Sequence, residues 1–208
     1  MATKRKRPIE LLTPEEVGAL LQACPTSPSG LRNRALIATI YYSGIRSAEA
    51  LDLLPRDLDL DKGSINIRNG KGSRQRIVGL NPLANGHIAR WQRQRDRLKV
   101  NGRRRIFCTI SSGKATGFGE GGELRAGGKL SDSYFRRVLR DLAEQVGIEK
   151  RVHPHSLRHS FAARLAEKGV PMHQIQRQLG HSSLATTGAY LDSIAPIETI
   201  EAVRSLDW

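Results

Sequence analysis

The chain has 208 residues, with 34 lysines and arginines against 20 aspartates and glutamates, and a formal net charge of +14. Its hydrophobic fraction of 38% suffices for an ordinary core, and no apolar run approaches the roughly 20 residues that a membrane-spanning helix needs. The positive excess suits nucleic acid, anionic lipid or an acidic protein, and charge alone does not choose among them.

The amino terminus and the cysteines indicate a cytoplasmic protein. Residues 1–11 form a basic tail that leads into no apolar segment, so the tail is not a secretory signal. Cys24 and Cys108 lie far apart without CxxC spacing, which is typical of reduced thiols.

The first third of the chain predicts three helices. Thr13, Pro14 and Glu16 form a capping box with proline at the first helical position. Residues 31–42 are apolar enough for a buried helix that ends at Ser-Gly, and residues 47–53 predict a short helix before a proline.

The hydrophobic period then changes from helix to strand. Apolar and polar residues alternate at 58–60 and 64–68, and an apolar pair at 77–78 follows an Asn-Gly-Lys-Gly turn at 69–72. We predict a small antiparallel sheet with Lys71 at or just beyond a hairpin tip.

The remainder is predicted to be helical, apart from a glycine-rich segment. Helices are expected at 82–100, 131–146, 171–179, 184–191 and 196–204, and another with an apolar stripe at 157, 161 and 165 is closed by Gly169. Residues 105–108 are expected to form a short strand or a loop. Seven glycines between 113 and 128 exclude a regular element there, and the order of a phosphate-binding loop is absent. The fold class is therefore mainly α with a small antiparallel β-sheet.

A dense basic run lies between Arg90 and Arg105, where eight basic residues face one acid, Asp96. A phosphate backbone is the natural counterpart of such density, and Arg93 and Arg97 are candidates for DNA contacts. The alternative is the solvated face of a helix.

The heptapeptide 153–159 carries the most informative polar residues. If a helix starts near Ser156, His155 and Arg158 project to nearly the same side at a helix amino terminus, which suits a phosphate. His155 and His159 have the spacing of two metal ligands, but no neighbouring carboxylate or thiol completes a site, so no metal is predicted. The remaining alternative is a capping histidine beside a surface arginine.

Five short motifs follow one another along the chain: G-I-R-S-A-E-A-L at 44–51, G-K-G at 70–72, H-S-L-R-H at 155–159, L-G-H-S-S at 179–183 and T-T-G-A-Y at 186–190. Each is weak alone, and together they resemble the ordered motifs of the tyrosine recombinase (phage integrase) family. The resemblance covers about residues 12–191, and the short chain is similar to the fimbrial phase-variation recombinases.

The resemblance implies cleavage of a phosphodiester bond by a tyrosine, which leaves a 3′-phosphotyrosine and a free 5′-hydroxyl. The catalytic residues that it implies are Arg46, Lys71, His155, Arg158, His181 and Tyr190, with Glu49 in support. The two arginines would clamp the non-bridging oxygens, because a guanidinium fork suits them. The lysine would protonate the leaving oxygen, the first histidine would act as acid or base, and the second would donate a hydrogen bond to the phosphate.

The remaining DNA-binding candidates are Arg74, Arg76, Arg93, Arg97 and His159. No cofactor is expected. Basic side chains supply the positive charge that neutralises the phosphate, and the phosphotyrosine link conserves the energy of the cleaved phosphodiester bond.

The resemblance also implies an organisation and partners. Residues 1–11 are expected to be a basic tail, 12–191 the catalytic domain, and 192–208 a segment that is exchanged between subunits or folds back on its own core. The amino-terminal clamp domain of most members is expected to be absent. We expect double-stranded DNA as partner, a homotetramer on two DNA sites, an accessory protein that supplies a clamp, and a nucleoid-associated bacterial protein.

Three other functions are alternatives to a site-specific recombinase. Type IB topoisomerase-like nicking and closing uses the same residues without strand exchange, and a DNA-binding regulator with this fold would not need Tyr190. An RNA-binding or membrane-surface module ranks last, since four Phe, four Tyr and two Trp offer little for base stacking.

Overall fold

The computed structural model describes residues 10–68, 75–100, 102–110 and 127–180. Its helices are α1 (Pro14–Ala23), α2 (Pro28–Ser43), α3 (Ser47–Asp52), α4 (Asn85–Arg97), α5 (Asp132–Gln145), α6 (Pro154–Glu167) and α7 (Met172–Leu179). Its strands are β1 (Leu58–Asp59), β2 (Ser64–Ile67) and β3 (Arg76–Gly79), and single 3₁₀ turns lie at Pro55–Asp57 and Pro82–Ala84. The fold class predicted from the sequence, mainly α with a small antiparallel sheet, is confirmed.

Local capping chemistry sets the ends of the first two helices. The Thr13 hydroxyl accepts from the Glu16 amide and the Glu16 carboxylate accepts from the Thr13 amide, so the predicted capping box is confirmed. Helix α2 begins earlier than predicted, because Ser27 caps it and proline occupies its first turn. It ends at Gly44, whose φ of 68° is left-handed.

Helix α2 is the centre of the core. It is buried on nearly all sides, and it packs against α1, α4 and α6. The fully buried Trp91 of α4 donates its indole N–H to the Ile106 carbonyl at 2.9 Å, which ties the segment at Ile106 to α4. The two free cysteines are also buried.

The three strands form one antiparallel sheet in the order β1-β2-β3, as predicted. Ile65 pairs with Leu58 on one side and Val78 on the other, so the apolar residues of β2 and β3 share the buried face. The hairpin tip with Lys71 and most of the glycine-rich segment lie outside the described residues.

Two predictions about the remaining elements need correction. The predicted α5 stripe of every fourth residue from Tyr134 is only partly buried, and the buried face is made by Phe135, Leu139, Leu142 and Ala143. Helix α6 starts two residues before Ser156. Residues 105–108, predicted to be a short strand or a loop, form a loop with one bridge, from Cys108 to Lys129.

No helix in the described ranges combines the length and apolar character that crossing a membrane requires.

Gly44 tests the dependence of this fold on the corner after α2. A Cβ there would lie 2.3 Å from Cδ1 of Phe161, in addition to the strained φ. We predict that Gly44→Ala lowers the free energy of unfolding by about 2–5 kcal/mol, measured by urea denaturation. Gly18 is the matched control, because it lies in the interior of α1 with nothing within 4 Å of a Cβ. Gly18→Ala should raise stability by about 0.5–1 kcal/mol, and equal effects of the two changes would contradict the interpretation.

Candidate active site

The corner between α2 and α3 carries the first functional side chains. Arg46 directly precedes α3, and its backbone N–H donates to Oε2 of Glu49 at 2.9 Å. Its Nη1 donates to Oε1 of the same carboxylate at 3.0 Å. Glu49 therefore both caps the start of α3 and orients the Arg46 guanidinium.

A second arginine reaches the same carboxylate from the sheet. Arg76 on β3 donates from Nη1 to Oε1 and from Nη2 to Oε2 of Glu49, each at 2.9 Å. Burial raises the pKa of Glu49, but the hydrogen bonds from Arg76 and the Arg46 amide and the charges of both arginines outweigh it, so the pKa lies below its usual value. The carboxylate is ionised at neutral pH.

Helix α6 supplies the third arginine. Arg158 is 5% exposed, and its Nη1 donates to the Gly44 carbonyl at 2.7 Å. Its Nη2 donates to the Leu179 carbonyl at 2.9 Å. The guanidinium thus joins the end of α2 to the end of α7.

The end of α7 is the point on which these groups converge. Gly180 terminates the helix with a left-handed φ of 66°, and its carbonyl accepts from Nη2 of Arg46 at 3.0 Å. Two residues before Gly180, the Gln178 amide bonds both backbone groups of Gly79 and the Ser43 carbonyl. We call the guanidinium groups of Arg46, Arg76 and Arg158 the arginine centre. His181 follows Gly180 in the sequence, so the segment with the last two motifs begins directly after this centre.

A histidine cap fixes the amino terminus of α6. Nδ1 of His153 accepts from the Ser156 amide at 3.0 Å, while the His153 amide donates to the Ser156 hydroxyl at 3.3 Å. Desolvation and the charges of His155, Arg151 and Arg136 lower the pKa of His153, in agreement with a neutral ring that accepts a hydrogen bond. The capping histidine weighed from the sequence exists, and it is His153.

His155 lies exposed in the first turn of α6, within 6.0 Å of the His159 ring between centroids. Desolvation, Arg158 and Arg136 lower its pKa, and Asp132 partly opposes them. Asp132 also accepts from the Ser47 hydroxyl at 2.6 Å, which ties α5 to α3. A neutral imidazole beside the arginine centre can accept or transfer a proton.

The charges at the centre favour an anion. In the described part of the chain the guanidinium groups of Arg46 and Arg76 pair with one carboxylate, while that of Arg158 bonds backbone carbonyls, so positive charge is in excess there. No cluster of three or more metal-ligating side chains that could hold an ion occurs within those same ranges. The arrangement can hold a phosphate.

The structure brings together part of the predicted site. Arg46, Glu49 and Arg158 share one network, and His155 lies next to it. The other residues predicted as catalytic lie outside the described ranges, and so does one DNA-binding candidate: Lys71, His181, Tyr190 and Arg74.

The DNA-binding candidates lie in different settings. Arg93 and Arg97 are exposed on α4 and line a cavity of about 480 Å³ together with Arg90. His159 is half-buried. Direct contact of Arg76 with DNA stays a prediction, while the structure holds its side chain, 16% exposed, against Glu49.

Sequence reasoning missed the inward direction of Arg76, although a signal for it exists. Side chains alternate along a strand, so residues 76 and 78 share a face. Val78 is 1% exposed and Ile77 is 75% exposed, which sets the face of Arg76 toward the core. No comparable signal exists for Gln178.

A mainly helical fold with a three-stranded sheet and this arginine centre is that of a tyrosine recombinase catalytic domain. The chain belongs to the phage integrase family, whose model matches residues 10–195. The resemblance inferred from the five motifs is confirmed.

Curated relatives and solved structures agree with this membership. The chain is 37% identical to tyrosine recombinase XerC of Xanthomonas campestris pv. campestris (strain B100) over 186 residues. The aligned region covers 89% of this chain and 52% of that protein. The XerC of Syntrophus aciditrophicus (strain SB) is 33% identical over 181 residues, covering 86% of this chain and 55% of the relative. The chain thus spans about half the length of the curated relatives it matches.

Two solved structures share the fold closely. The XerA recombinase superposes with a TM-score of 0.78 at 26% identity, over 98% of this chain and 68% of that one. The XerH site-specific recombinase bound to its palindromic difH substrate gives 0.73 at 28% identity, over 96% and 54% of the two chains.

The His153 cap predicts a pH-dependent stability. Its pKa is lowered by folding, so its contribution is fully present above the unfolded value of about 6.5 and is lost as the pH falls through the lower folded value. His153→Ala should cost about 1 kcal/mol at neutral pH, whereas His153→Asn, which keeps an acceptor, should cost little.

Urea denaturation between about pH 8 and about pH 5 measures both effects. His153→Asn should lose less stability on acidification than the wild type, because an amide does not titrate. The other histidines are common to both proteins, so parallel pH profiles would contradict the role of His153.

Proposed function

We propose that this chain is the catalytic part of a site-specific DNA recombinase, which cleaves and rejoins strands through a 3′-phosphotyrosine. One observation carries the proposal. Arg46 and Arg158 come from separate elements, and both bond the backbone carbonyls at the end of α7, where the chain enters the segment with His181 and Tyr190. A phosphate held by the arginines would therefore lie close to the start of that segment.

The proposed chemistry is a pair of transesterifications. The Tyr190 oxygen attacks the scissile phosphorus, a phosphotyrosine bond forms, and the bond to the 5′-oxygen breaks. The phenol loses its proton to His155, and Lys71 gives a proton to the departing 5′-oxygen. In the second step a 5′-hydroxyl from the partner strand gives its proton to Lys71 and attacks the phosphotyrosine, and the tyrosine leaves with the proton that His155 returns to it.

The arginines are proposed to stabilise the charge of both steps. Arg46 and Arg158 would donate to the non-bridging oxygens, with His181 as a further donor and Glu49 as the support of Arg46. Each step exchanges one phosphoester bond for another, so the reaction needs no nucleoside triphosphate.

Basic side chains around the centre are proposed to follow the DNA backbone. A cavity of about 560 Å³ beside α5 and the start of α6 is lined by Arg136, Arg140 and Arg151. Arg93 and Arg97 on α4, together with Arg74 and His159, complete the proposed phosphate contacts.

We infer that the working assembly is a homotetramer on two double-stranded DNA sites in the bacterial cytoplasm, at the nucleoid. Residues 192–208 are proposed to pass between subunits, residues 12–191 to form the catalytic domain, and residues 1–11 to act as a basic arm. An accessory protein is proposed to supply the clamp around the DNA.

The central residue of this proposal is Tyr190. Incubation with nicked duplexes from the flanks of its own gene, followed by denaturation in SDS, should give a covalent protein–DNA adduct without added metal or ATP. Mass spectrometry after nuclease trimming should place a nucleotide on Tyr190, and Tyr190→Phe should abolish the adduct.

Tyr42→Phe is the matched control, because Tyr42 lies half-buried in α2. It should form adduct at the wild-type rate. Tight DNA binding by the wild type without an adduct, or an adduct that survives in Tyr190→Phe, would overturn the proposal.

A further inference from the structure

We propose that Arg76 is a positioning residue, which neutralises Glu49 and holds that carboxylate and the end of α7 in place so that Arg46 keeps its charge for the phosphate. The inference rests on the proposed function and deepens it. It gives Arg76 a role other than the DNA contact predicted from the sequence.

The first support is the geometry of the Glu49 carboxylate. Both of its oxygens accept from Arg76 in a bidentate pair, and one of them also accepts from Nη1 of Arg46 at 3.0 Å. A bidentate guanidinium–carboxylate pair fixes the plane of the carboxylate as well as its distance. The position of Arg46 is therefore set through Glu49 by Arg76.

Burial makes this pair depend on both partners. The side chain of Glu49 is 5% exposed and that of Arg76 is 16% exposed, whereas Arg46 is 28% exposed. Removing one partner of a buried pair leaves the other charge uncompensated. Arg46 is thus the more accessible of the two arginines on Glu49, and Arg76 is the one enclosed by protein.

Arg76 also touches the end of α7. A Cβ on Gly180 would lie 2.6 Å from both Cζ and Nε of Arg76, so the guanidinium rests directly against the glycine backbone. The carbonyl of the same glycine accepts from Arg46. Arg76 therefore lies between Glu49 and the residue after which the His181 segment begins.

The charge balance shows why the site needs Arg76. With it, the guanidinium groups of Arg46, Arg76 and Arg158 exceed the single carboxylate by two; without it they exceed it by one. The ionised Glu49 would then compete with a phosphate for Arg46. Arg76 thus releases Arg46 from full pairing with Glu49.

The test compares Arg76→Gln with Arg56→Gln, which removes the same charge from an exposed position in the 3₁₀ turn before β1. At saturating nicked DNA, Arg76→Gln should form the Tyr190 adduct about 100-fold more slowly, because misplaced catalytic groups cost about that much. Arg76→Lys should recover only part of the rate, since it keeps the charge without the fork. Arg56→Gln should react at the wild-type rate.

DNA affinity separates positioning from direct contact. The slope of log Kd against log salt should be unchanged in Arg76→Gln, whereas loss of a phosphate contact reduces it by about 1. A reduced slope with an unchanged rate at saturation would overturn the inference in favour of a DNA contact. Equal adduct rates in both glutamine variants would also overturn it.

A DNA-free measurement decides the inference if the wild type forms no adduct. Nitrogen NMR of labelled arginines should show separate, slowly exchanging Nη signals for Arg46 in the wild type and in Arg56→Gln. These signals should shift in Arg76→Gln, because Glu49 would then pair with Arg46 alone. Signals for Arg46 that are unchanged in Arg76→Gln would contradict the positioning role, whatever the outcome for the proposed recombinase.

Discussion

One buried carboxylate organises the centre of this protein. Glu49 receives the Arg46 amide, the Arg46 guanidinium and both Nη groups of Arg76, and it joins α3 to β3 in doing so. Such a carboxylate is costly to bury alone and is stable only when its partners are in place. Glu49 therefore ties the corner after α2 to the sheet, and Arg158 and Gln178 add the bonds that join both to the end of α7.

The backbone carbonyls at the end of α7 give the arginines their second anchor. Leu179 accepts from Arg158, and Gly180 accepts from Arg46, so two guanidinium groups are oriented before any substrate arrives. Preorganised donors lose little on binding an anion, because they need not reorient during the reaction. A phosphate that binds here meets positive charge already fixed by α2, α6 and α7.

Several helix ends were well predicted, whereas α2 and α6 begin earlier than expected. Thr13 with Glu16, the left-handed Gly44 and the left-handed Gly180 act through local chemistry that a sequence displays directly. The strands of the sheet were equally readable from apolar alternation, although the adjacent apolar residues Ile77 and Val78 did not show which face of β3 is buried. Family motifs then named Arg46, Glu49 and Arg158, which composition and spacing alone did not bring together.

Other features of the structure were not predicted, each for a physical reason. A strict four-residue repeat advances about 40° per step around a helix, so the stripe predicted for α5 winds away from the core. The sequence left a capping histidine open as an alternative without assigning it to His153, because histidine accepts through a ring nitrogen and is not a standard capping residue. Arg76 and Gln178 bond groups far away in sequence, and the basic residues around Arg76 favoured an outward interpretation.

Neutralisation of a phosphate by Arg46 is central to the proposed mechanism, and a substrate without that charge tests it most directly. The measurement is the rate of Tyr190 adduct formation by Arg46→Ala on a nicked duplex with either a phosphate or an uncharged methylphosphonate at the scissile position. We predict that Arg46→Ala is severely slowed on the phosphate and approaches the wild-type rate on the methylphosphonate, because the charge that Arg46 balances is gone. Equal impairment on both substrates, with wild type active on each, would contradict the role of Arg46 as the counter-charge.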